Sequence, residues 1–501
     1  MSVSKVWLDV TTILAWQRPA VGVVRLEAET AKHVLNLKND KFSFCKFIKG
    51  KGYTQVSSAD VTHALERINL SGINVPSKEN DNEPHQSDIL VNTLKRRIKN
   101  IVLRFIRLLP SKWHSSIFQF IIKLKTVILF LSSRDKLHIQ FKSSWDKFRN
   151  YKNRLKFSSV IKEPLFQQNL VSPFSAQDVY ISMGADWNQG NLDHLYSIKK
   201  QYRLKIILFC YDLIPIKFPH LTLEWVAKIF PKYYYNIAWS ADEIIAISEC
   251  SKKDLEAFLD KIGTPKPKIS VLKLGCEIPN QIIYSDTLEI NEVINKKYIM
   301  YVSSIERRKN HETLYRAYTQ LIDQGEESLP LLIFVGMEGW GVSDLMTDLR
   351  LDRRVKNHIK VLNHISDSQL NALYKHAMFT VYPSLYEGWG LPVAESLAFG
   401  KFCLASNVAS IPEIAGDLIE YIEPWDVRKW AEQILWYAKN PHDLEVKEAR
   451  IKAYYQPVKW KSTTSNILSS ALTMLHQKNY RQNELDKVEQ RILRDYDNND
   501  S

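Results

Sequence analysis

The chain has 501 residues, of which 45% are hydrophobic and 25% are charged. These proportions are typical of a folded globular protein and exclude a largely disordered chain. The length is too great for one ordinary core and predicts two or more domains. The formal net charge of +13 favours an anionic partner, and charge alone leaves open a nucleic acid, a phospholipid surface or a phosphorylated small molecule.

The five cysteines are far apart, at positions 45, 210, 250, 276 and 403. No pair has the spacing of a zinc or redox motif, which favours a reduced, cytosolic compartment. The N-terminus has no long apolar run before its first strand-like segment, so we expect no signal peptide. The most apolar run, 117–131, contains Gln119, Lys123 and Lys125 and is shorter than the roughly 20 residues of a membrane span. We therefore expect no transmembrane helix.

Short apolar runs alternate with helical patterns along most of the chain, which predicts doubly wound α/β domains. The polar stretch 278–295 marks the predicted boundary between two of them. We assign residues 1–285 to a first domain, 286–470 to a second, and 471–501 to a polar C-terminal tail. The predicted strands are 6–10, 42–47, 179–183, 206–211, 243–247 and 269–272 in the first domain, and 298–303, 331–335, 359–362, 379–382 and 402–405 in the second.

Between about residues 50 and 170 this alternation stops, and we predict a basic, helical insertion in the first domain. The part 95–156 combines many basic residues with large apolar side chains. The runs 101–109 and 113–131 are typical of amphipathic helices that lie at an anionic membrane surface. An ordinary helical insertion, packed on the core with one solvated face, fits the same pattern equally well.

The segment after the predicted strand 379–382 favours a phosphate or sugar site. Gly388 and Gly390 permit close approach of the backbone, and Pro392 suits the first turn of a helix. Free backbone N–H groups at the start of such a helix point out of the carboxyl end of the strand, where they can bind an anion.

Two carboxylates accompany this segment. Glu387 precedes the predicted helix and Glu395 is expected inside its first turn, so both can face one crevice. A carboxylate accepts hydrogen bonds from paired sugar hydroxyls and thereby orients the sugar. The alternative is structural, with Glu395 complementing the helix dipole and Glu387 capping a turn.

Charged residues also follow two other predicted strands. Arg308 and Lys309 can grip a diphosphate and offset its developing charge, or else belong to a solvated helix start. Asp212 can position an acceptor hydroxyl or the donor sugar, or else form a turn before Pro215. His311 is expected to be a solvated or capping histidine.

Three sequence blocks follow one another in the order ERRKNHETL at 306–314, YPSLYEGWGLP at 382–392 and SIPEIAG at 410–416. Together they resemble family four of the retaining glycosyltransferases, which have the GT-B fold of two facing doubly wound Rossmann-like domains. Shorter blocks at 211–215, 247–255 and 272–275 are similar to those of polysaccharide-building members, of the O-antigen mannosyltransferase type. The resemblance covers about residues 1–48 and 170–470.

The resemblance implies a role for each matching position. Glu387 would hold donor-sugar hydroxyls, Glu395 the ribose hydroxyls, and Arg308 with Lys309 the diphosphate. Gly22 resembles the first-domain glycine loop that closes over the phosphates. Backbone N–H groups would line the sugar and phosphate pocket at Gly388, Trp389, Gly390 and Leu391. Asp212 completes the candidate catalytic set, although Tyr211 stands where many members have a histidine and Ser304 where another basic residue is often found.

The activity that the resemblance implies is metal-independent, retaining transfer of a hexose from a nucleoside diphosphate sugar, with GDP-mannose as the first choice. We expect no metal, because no Asp cluster with metal-ligand spacing occurs, and no cofactor other than this co-substrate. The expected acceptor is a growing, lipid-linked glycan of surface polysaccharide. The expected location is cytoplasmic, peripheral on the inner face of the membrane through residues 95–156, without a nucleic acid partner. The alternatives are a nucleotide-sugar epimerase on the same fold and a non-catalytic basic protein that binds lipid or nucleic acid.

Overall fold

The computed structural model describes residues 4–17, 20, 22–70, 171–188, 192–277, 288–477 and 485. The chain divides into two compact units, Met1–Asn74 with Gln167–Ser501 and Val75–Phe166. Both sheets and all the helices named for them belong to the first unit. The basic segment 95–156 and the tail from 486 lie outside the described residues, so the expectations for them stay predictions.

The first sheet has seven strands in the order β3-β2-β1-β4-β5-β6-β7. All neighbours pair in parallel except β3, which runs antiparallel to β2 at the edge. The strands are β1 Val6–Asp9, β2 Phe42–Ile48, β3 Gly52–Val56, β4 Val179–Ile181, β5 Lys205–Cys210, β6 Glu243–Ala246 and β7 Lys268–Val271. Its central strands are buried along their whole length, as expected for a parallel sheet covered on both faces.

The second sheet has six strands in the order β10-β9-β8-β11-β12-β13. Every neighbouring pair is parallel. The strands are β8 Tyr298–Val302, β9 Leu331–Val335, β10 Ile359–Leu362, β11 Thr380–Tyr382, β12 Cys403–Ser406 and β13 Glu420–Ile422. The predicted fold class, two doubly wound α/β domains, is therefore confirmed.

Helices cover both sheets. Those of the first half are α1 Thr11–Ala15, α2 Gly22–Leu37, α3 Ser58–Leu70, α4 Leu192–Tyr202, α5 Ile214–Lys217, α6 Glu224–Ser240 and α7 Glu249–Ile262. Those of the second half are α8 Leu288–Ile294, α9 His311–Asp323, α10 Ser343–Leu351, α11 Asp367–His376, α12 Leu391–Ala398, α13 Ile411–Ala415, α14 Val427–Lys439, α15 Pro441–Tyr454 and α16 Trp460–His476. No helix in these ranges combines the length and the apolar character needed to cross a membrane.

Each sheet has a point where its strand order reverses, between β1 and β4 in the first and between β8 and β11 in the second. The connections leave in opposite directions there, which opens a crevice at the carboxyl ends of the strands. Asp9 is the last residue of β1, and Asp212 follows β5 of the same sheet. The segments 303–310 and 383–390 follow β8 and β11. These two aspartates and two segments therefore all lie at the carboxyl ends of strands.

The last helix belongs to the first domain by its packing. Trp460, Ile467 and Met474 of α16 join the buried cluster that contains Val6 and Ile181. The ammonium group of Lys205, on β5, donates to the carbonyl oxygens of Met474 at 2.8 Å and Gln477 at 2.6 Å, so it caps the end of α16. A cation at a helix C-terminus is stabilised by the dipole and by the free carbonyls.

Three boundaries differ from the sequence predictions. The start of the insertion at about residue 50 is wrong, because 52–56 form an edge strand and 58–70 a helix that packs on α1 and α2. The second domain does not extend unbroken to 470, because α16 returns to the first domain. Residues 471–476, predicted as tail, are the last turns of this helix.

Candidate active site

The loop after β11 approaches the first domain closely at Gly388. A Cβ atom on Gly388 would lie 2.2 Å from the carbonyl oxygen of Tyr211 and 3.1 Å from the Cβ atom of Asp212. Only glycine fits this contact, since a methyl group there would overlap the Tyr211 backbone. Gly390 ends the loop with φ of 118° and Pro392 lies in the first turn of α12, as predicted.

The start of α12 leaves backbone donors available. Within the described part of the chain, the N–H groups of Gly388, Trp389, Gly390 and Leu391 have no protein acceptor. The hydroxyl of Ser410 donates to the carbonyl oxygens of Glu387 at 2.9 Å and Trp389 at 2.8 Å, which fixes the course of the loop. The loop therefore presents free donors at a helix N-terminus, an arrangement that suits an anion.

Glu387 is the centre of a buried polar network. Its Oε1 atom accepts from the ammonium of Lys309 at 2.5 Å and from the hydroxyl of Ser384 at 2.7 Å, and Tyr382 donates to it at 3.1 Å. Its Oε2 atom lies 2.8 Å from Nη1 of Arg308. Burial raises the pKa of Glu387, but the two cations and these hydrogen bonds outweigh burial and lower it to about 2. The side chain is therefore an anion.

Arg308 lies between two carboxylates. Its Nη2 atom donates to Oε1 of Glu306 at 2.8 Å, and its Nη1 atom contacts Glu387 and also donates to the carbonyl oxygen of Tyr386 at 2.8 Å. Burial disfavours the guanidinium, but the surrounding carboxylates raise the pKa of Arg308. Burial and the neighbouring Arg308 lower the pKa of Lys309. Both groups are mostly buried, so the interpretation as a solvated helix start is wrong.

His311 lies beneath this network. It is 1% exposed, and its ring packs 4.5 Å from that of Tyr301 and 4.7 Å from that of Phe334. The expectation of a solvated or capping histidine is wrong. Burial lowers the pKa of His311 to about 3, so the ring is neutral at physiological pH. Tyr301 donates to the carbonyl oxygen of Lys309 at 2.6 Å and thereby fixes the backbone of this residue.

Glu395 faces a different part of the crevice. It is the fifth residue of α12, so the expectation that it lies in the first turn is wrong. Its carboxylate accepts from Tyr374 at 3.0 Å and lies 3.6 Å from Arg25 of α2, which also approaches Asp367 at 3.7 Å. Burial raises the pKa of Glu395, and Arg25 opposes this. A cleft opens here, lined by Arg25, Cys276, Glu277, Asp367, Leu370, Asn371, Tyr374, Glu395, Phe399 and Trp460.

Asp212 forms a turn and also approaches the charged network. Its Oδ1 atom accepts from the backbone N–H of Ile214 at 3.0 Å, as the turn interpretation predicted. Burial raises the pKa of Asp212, and Arg308 opposes this across the interdomain crevice. The turn therefore holds the carboxylate close to the residues of the second domain.

Gly22 is the first residue of α2, exposed, with φ of 50° and no heavy atom within 4 Å of a Cβ position. Arg18, Pro19 and Val21 of the same loop lie outside the described residues. Arg308, Lys309 and Glu387 thus contact one another directly, Asp212 lies against Gly388, and Glu395 lines the separate cleft. The roles of these residues toward a ligand stay predictions.

Sequence reasoning missed several residues that join the two domains at this site. Glu413 of α13 accepts the backbone N–H groups of Glu249 and Cys250, both at 2.8 Å, and so caps α7 of the first domain. Ser251 donates to the carbonyl oxygens of Tyr211 at 2.9 Å and Gly388 at 3.3 Å. The position of Glu413 in the SIPEIAG block was the one sequence signal that could have identified it. No sequence signal pointed to Arg25, because its partners lie more than 300 residues away in the chain.

Comparison with known proteins agrees with this geometry. Residues 287–456 match the family model of the glycosyl transferases group 1. The solved structure of HepE from Anabaena in complex with UDP superposes with a TM-score of 0.52 over 94% of this chain and 100% of its own, at 13% identity. At that identity the likeness concerns the fold alone, and it extends over both domains.

The curated relatives include O-antigen proteins. The O-antigen chain mannosyltransferase B of Escherichia coli is 29% identical over 237 residues, which are 46% of this chain and 60% of the relative. The serotype-specific mannosyltransferase WbdA of Escherichia coli is 25% identical over 247 residues, 46% of this chain and 30% of the relative. The O-antigen chain mannosyltransferase RfbU of Salmonella typhimurium is 23% identical over 49% of this chain and 63% of its own. The chain thus spans between 30% and 63% of the length of these relatives.

The matched segment contains Arg308, Lys309, Glu387 and Glu395, together with the helix start that offers free N–H groups. Its parallel sheet and its partner domain have the arrangement that the GT-B fold requires. On these findings residues 287–456 match the group 1 glycosyl transferases, and the two sheets together have the GT-B fold.

Proposed function

We propose that the chain is a glycosyltransferase that moves a hexose from a nucleoside diphosphate sugar to a hydroxyl of a glycan, with retention of the anomeric configuration. The single observation that carries the proposal is the buried Glu387 carboxylate, held by Lys309 at 2.5 Å and Arg308 at 2.8 Å beside the free N–H groups of α12. A carboxylate, two cations and a helix N-terminus match the three parts of such a donor, the sugar hydroxyls, the diphosphate and its developing charge.

In this proposal the diphosphate binds where Arg308 and Lys309 meet the N-terminus of α12. Preorganised positive charge at that point stabilises the phosphate as the glycosidic bond breaks. Glu387 accepts hydrogen bonds from the sugar hydroxyls and Glu395 from the ribose hydroxyls. The departing phosphate oxygen takes the proton of the acceptor hydroxyl, which attacks from the same face. Asp212, held by its turn, positions the acceptor hydroxyl or the donor sugar.

We further propose that the donor is GDP-mannose and that the acceptor is a lipid-linked glycan of surface polysaccharide, reached from the cytoplasmic face of the membrane. The names of the O-antigen relatives support mannose and the glycan class. The HepE complex contains UDP, so UDP-glucose belongs in the same test as a competing donor. Contact of residues 95–156 with an anionic membrane is part of the proposal.

The test incubates purified protein with GDP-mannose or UDP-glucose, with and without an oligosaccharide acceptor, and follows nucleotide release and product by mass spectrometry. We expect acceptor-dependent transfer that falls about 100-fold or more in Glu387→Gln, because one preorganised polar group contributes that much. The matched control is Glu312→Gln, an exposed glutamate at the start of α9. Conversion of the donor without an acceptor would indicate an epimerase. The absence of any donor binding would leave only a basic binding protein.

A further inference from the structure

The two cations of the candidate site are already paired with carboxylates of the protein. Arg308 bridges Glu306 and Glu387, each at 2.8 Å, and Lys309 contacts Glu387 at 2.5 Å. Two positive and two negative charges cancel within this group. These four side chains therefore offer an incoming diphosphate no net positive charge beyond the N-terminus of α12 unless one of the carboxylates becomes neutral.

The two carboxylates differ in how firmly they keep their charge. Glu387 accepts hydrogen bonds on both oxygens, from Lys309 and Ser384 among others. Glu306 is 2% exposed, and only its Oε1 atom is engaged, by Arg308. Its Oε2 atom is buried and finds no hydrogen-bond partner among the described residues. Burial raises the pKa of Glu306, although Arg308 and Lys309 oppose this, whereas the pKa of Glu387 is lowered.

The surroundings of Glu306 contain few other charges. Arg308 and Lys309 face it from its own turn, and Glu387 faces it from the loop after β11. The loop after β9 packs against it through backbone hydrogen bonds of 2.8 Å at Ile305, and the charged residue of that loop is the exposed Glu338. Asp212 of the first domain approaches the same Arg308. A diphosphate at Arg308 would add negative charge beside Glu306, and negative charge favours the protonated form of a carboxylate.

We infer that Glu306 is a positioning residue for Arg308 that takes up a proton when the diphosphate of a nucleotide sugar binds. A protonated Glu306 still offers its carbonyl oxygen to Nη2 of Arg308, so the guanidinium keeps its place while its charge becomes available to the phosphate. The inference rests on the proposed function, because it requires that a nucleotide sugar binds at this network. Glu306 then controls the affinity for the donor and the way in which this affinity changes with pH.

Isothermal titration of the protein with GDP-mannose and with UDP-glucose, in two buffers of different ionisation enthalpy, measures the protons taken up on binding. The diphosphate of a nucleotide sugar has no group that titrates near neutral pH, so any uptake belongs to the protein. For the wild type at pH 7 we expect uptake of up to one proton per bound donor, and affinity that weakens by as much as about tenfold per pH unit above pH 7. Glu306→Gln should take up almost none and bind with nearly constant affinity over the same range.

Glu312→Gln removes an exposed carboxylate near the same helix start and should retain the wild-type uptake. Donor binding by the wild type without proton uptake would overturn the inference and leave the proposed function intact. Equal uptake by Glu306→Gln and the wild type would also overturn it. The wild-type measurement is decisive even where the variant does not fold. A folded wild type that binds no nucleotide sugar would overturn both proposals.

Discussion

The hydroxyl of Tyr386 donates a 2.6 Å hydrogen bond to the carboxylate of Asp254, and this bond joins the loop that carries Glu387 to α7 of the first domain. Lys217 reinforces the contact, with its ammonium 2.8 Å from the Tyr386 hydroxyl and 2.5 Å from the Asp254 carboxylate. The thiol of Cys250 lies 3.3 Å from the same hydroxyl. Any separation of the two domains at this point must break these contacts and expose Cys250.

Tyr386→Phe should therefore increase the reaction of Cys250 with an alkylating reagent. The other four cysteines are buried, so Cys250, which is half-buried, is expected to react first in the folded protein. Loss of one hydrogen bond to a charged group costs roughly 1.5–3 kcal/mol, which corresponds to about tenfold or more in opening. Mass spectrometry of the alkylated peptide measures the rate.

A nucleotide sugar should slow the same alkylation, since a ligand bound to both domains favours the closed state. The matched control is Tyr315→Phe, which loses a similar 2.9 Å bond to Asp352 within the second domain. It should leave the Cys250 rate unchanged. Equal rates for Tyr386→Phe and the wild type would show that the Tyr386 contact does not hold the domains together.

Glu413→Ala should destabilise the start of α7. The Glu413 carboxylate accepts two N–H groups there, so its removal leaves both without a partner from the second domain. Loss of a helix cap costs about 1 kcal/mol of unfolding free energy. Hydrogen exchange should accelerate at the amides of Glu249 and Cys250, and Glu413→Gln, which keeps one acceptor oxygen, should give an intermediate rate. Unchanged exchange in Glu413→Ala would contradict the capping role.

Arg25→Met should weaken donor binding more than turnover. Arg25 is the first-domain cation beside Glu395, so it is expected to stabilise the bound nucleotide rather than the reacting bond. We expect the KM for the donor to rise roughly tenfold, the value of one charge-assisted hydrogen bond, while kcat changes little. Lys32→Met, at an exposed position on the same helix α2, is the control. An equal fall of kcat and kcat/KM would assign Arg25 to the transition state.

The buried His311 predicts a pH dependence of stability. Its pKa is about 3 in the folded protein and near its ordinary value of 6.5 in the unfolded chain. Below pH 6.5 the unfolded chain binds a proton that the folded protein does not, so the free energy of unfolding falls as the pH falls from 6.5 toward 3. At pH 5 the loss from this residue is about 2 kcal/mol.

Urea unfolding at pH 7 and pH 5 checks this prediction against His311→Gln, which cannot titrate. The difference in unfolding free energy between the two pH values should be smaller in the variant by about 2 kcal/mol. A parallel loss in both proteins would mean that other groups cause the acid sensitivity.

Local pattern was sufficient for most of the fold. The strand at 331–335 begins and ends where its apolar run does, because an inner strand of a parallel sheet is covered on both faces. The strand at 359–362 was also predicted with its observed bounds. Strand β13, at 420–422, was missed because it has three residues with mixed burial. Strand β3 was missed because this antiparallel edge strand, with the sequence GYTQV, lacks the apolar run of its neighbours.

Part of the candidate site could be predicted because it depends on the order of strands along the chain. Glu387, Arg308 and Lys309 lie in segments that follow strands, so topology brings them to one edge of the sheet. The burial of His311 could not be predicted, because the two rings that cover it, Tyr301 and Phe334, lie on two different strands, β8 and β9. The contact of Glu413 with the N-terminus of α7 depends on how the two domains meet, which no local pattern records.

The return of α16 to the first domain restricts how the molecule can move. Over the described ranges the chain passes between the domains twice, once after Cys276 and once before Trp460. A 2.9 Å hydrogen bond from the N–H of Cys276 to the carbonyl oxygen of Val458 joins the two passages. Gly275 packs directly on the indole ring of Trp460. Because the two passages lie side by side, rotation of one domain relative to the other about this point is the motion that strains the backbone least. Separation of the domains by a single proteolytic cut near either passage would leave them still connected through the other.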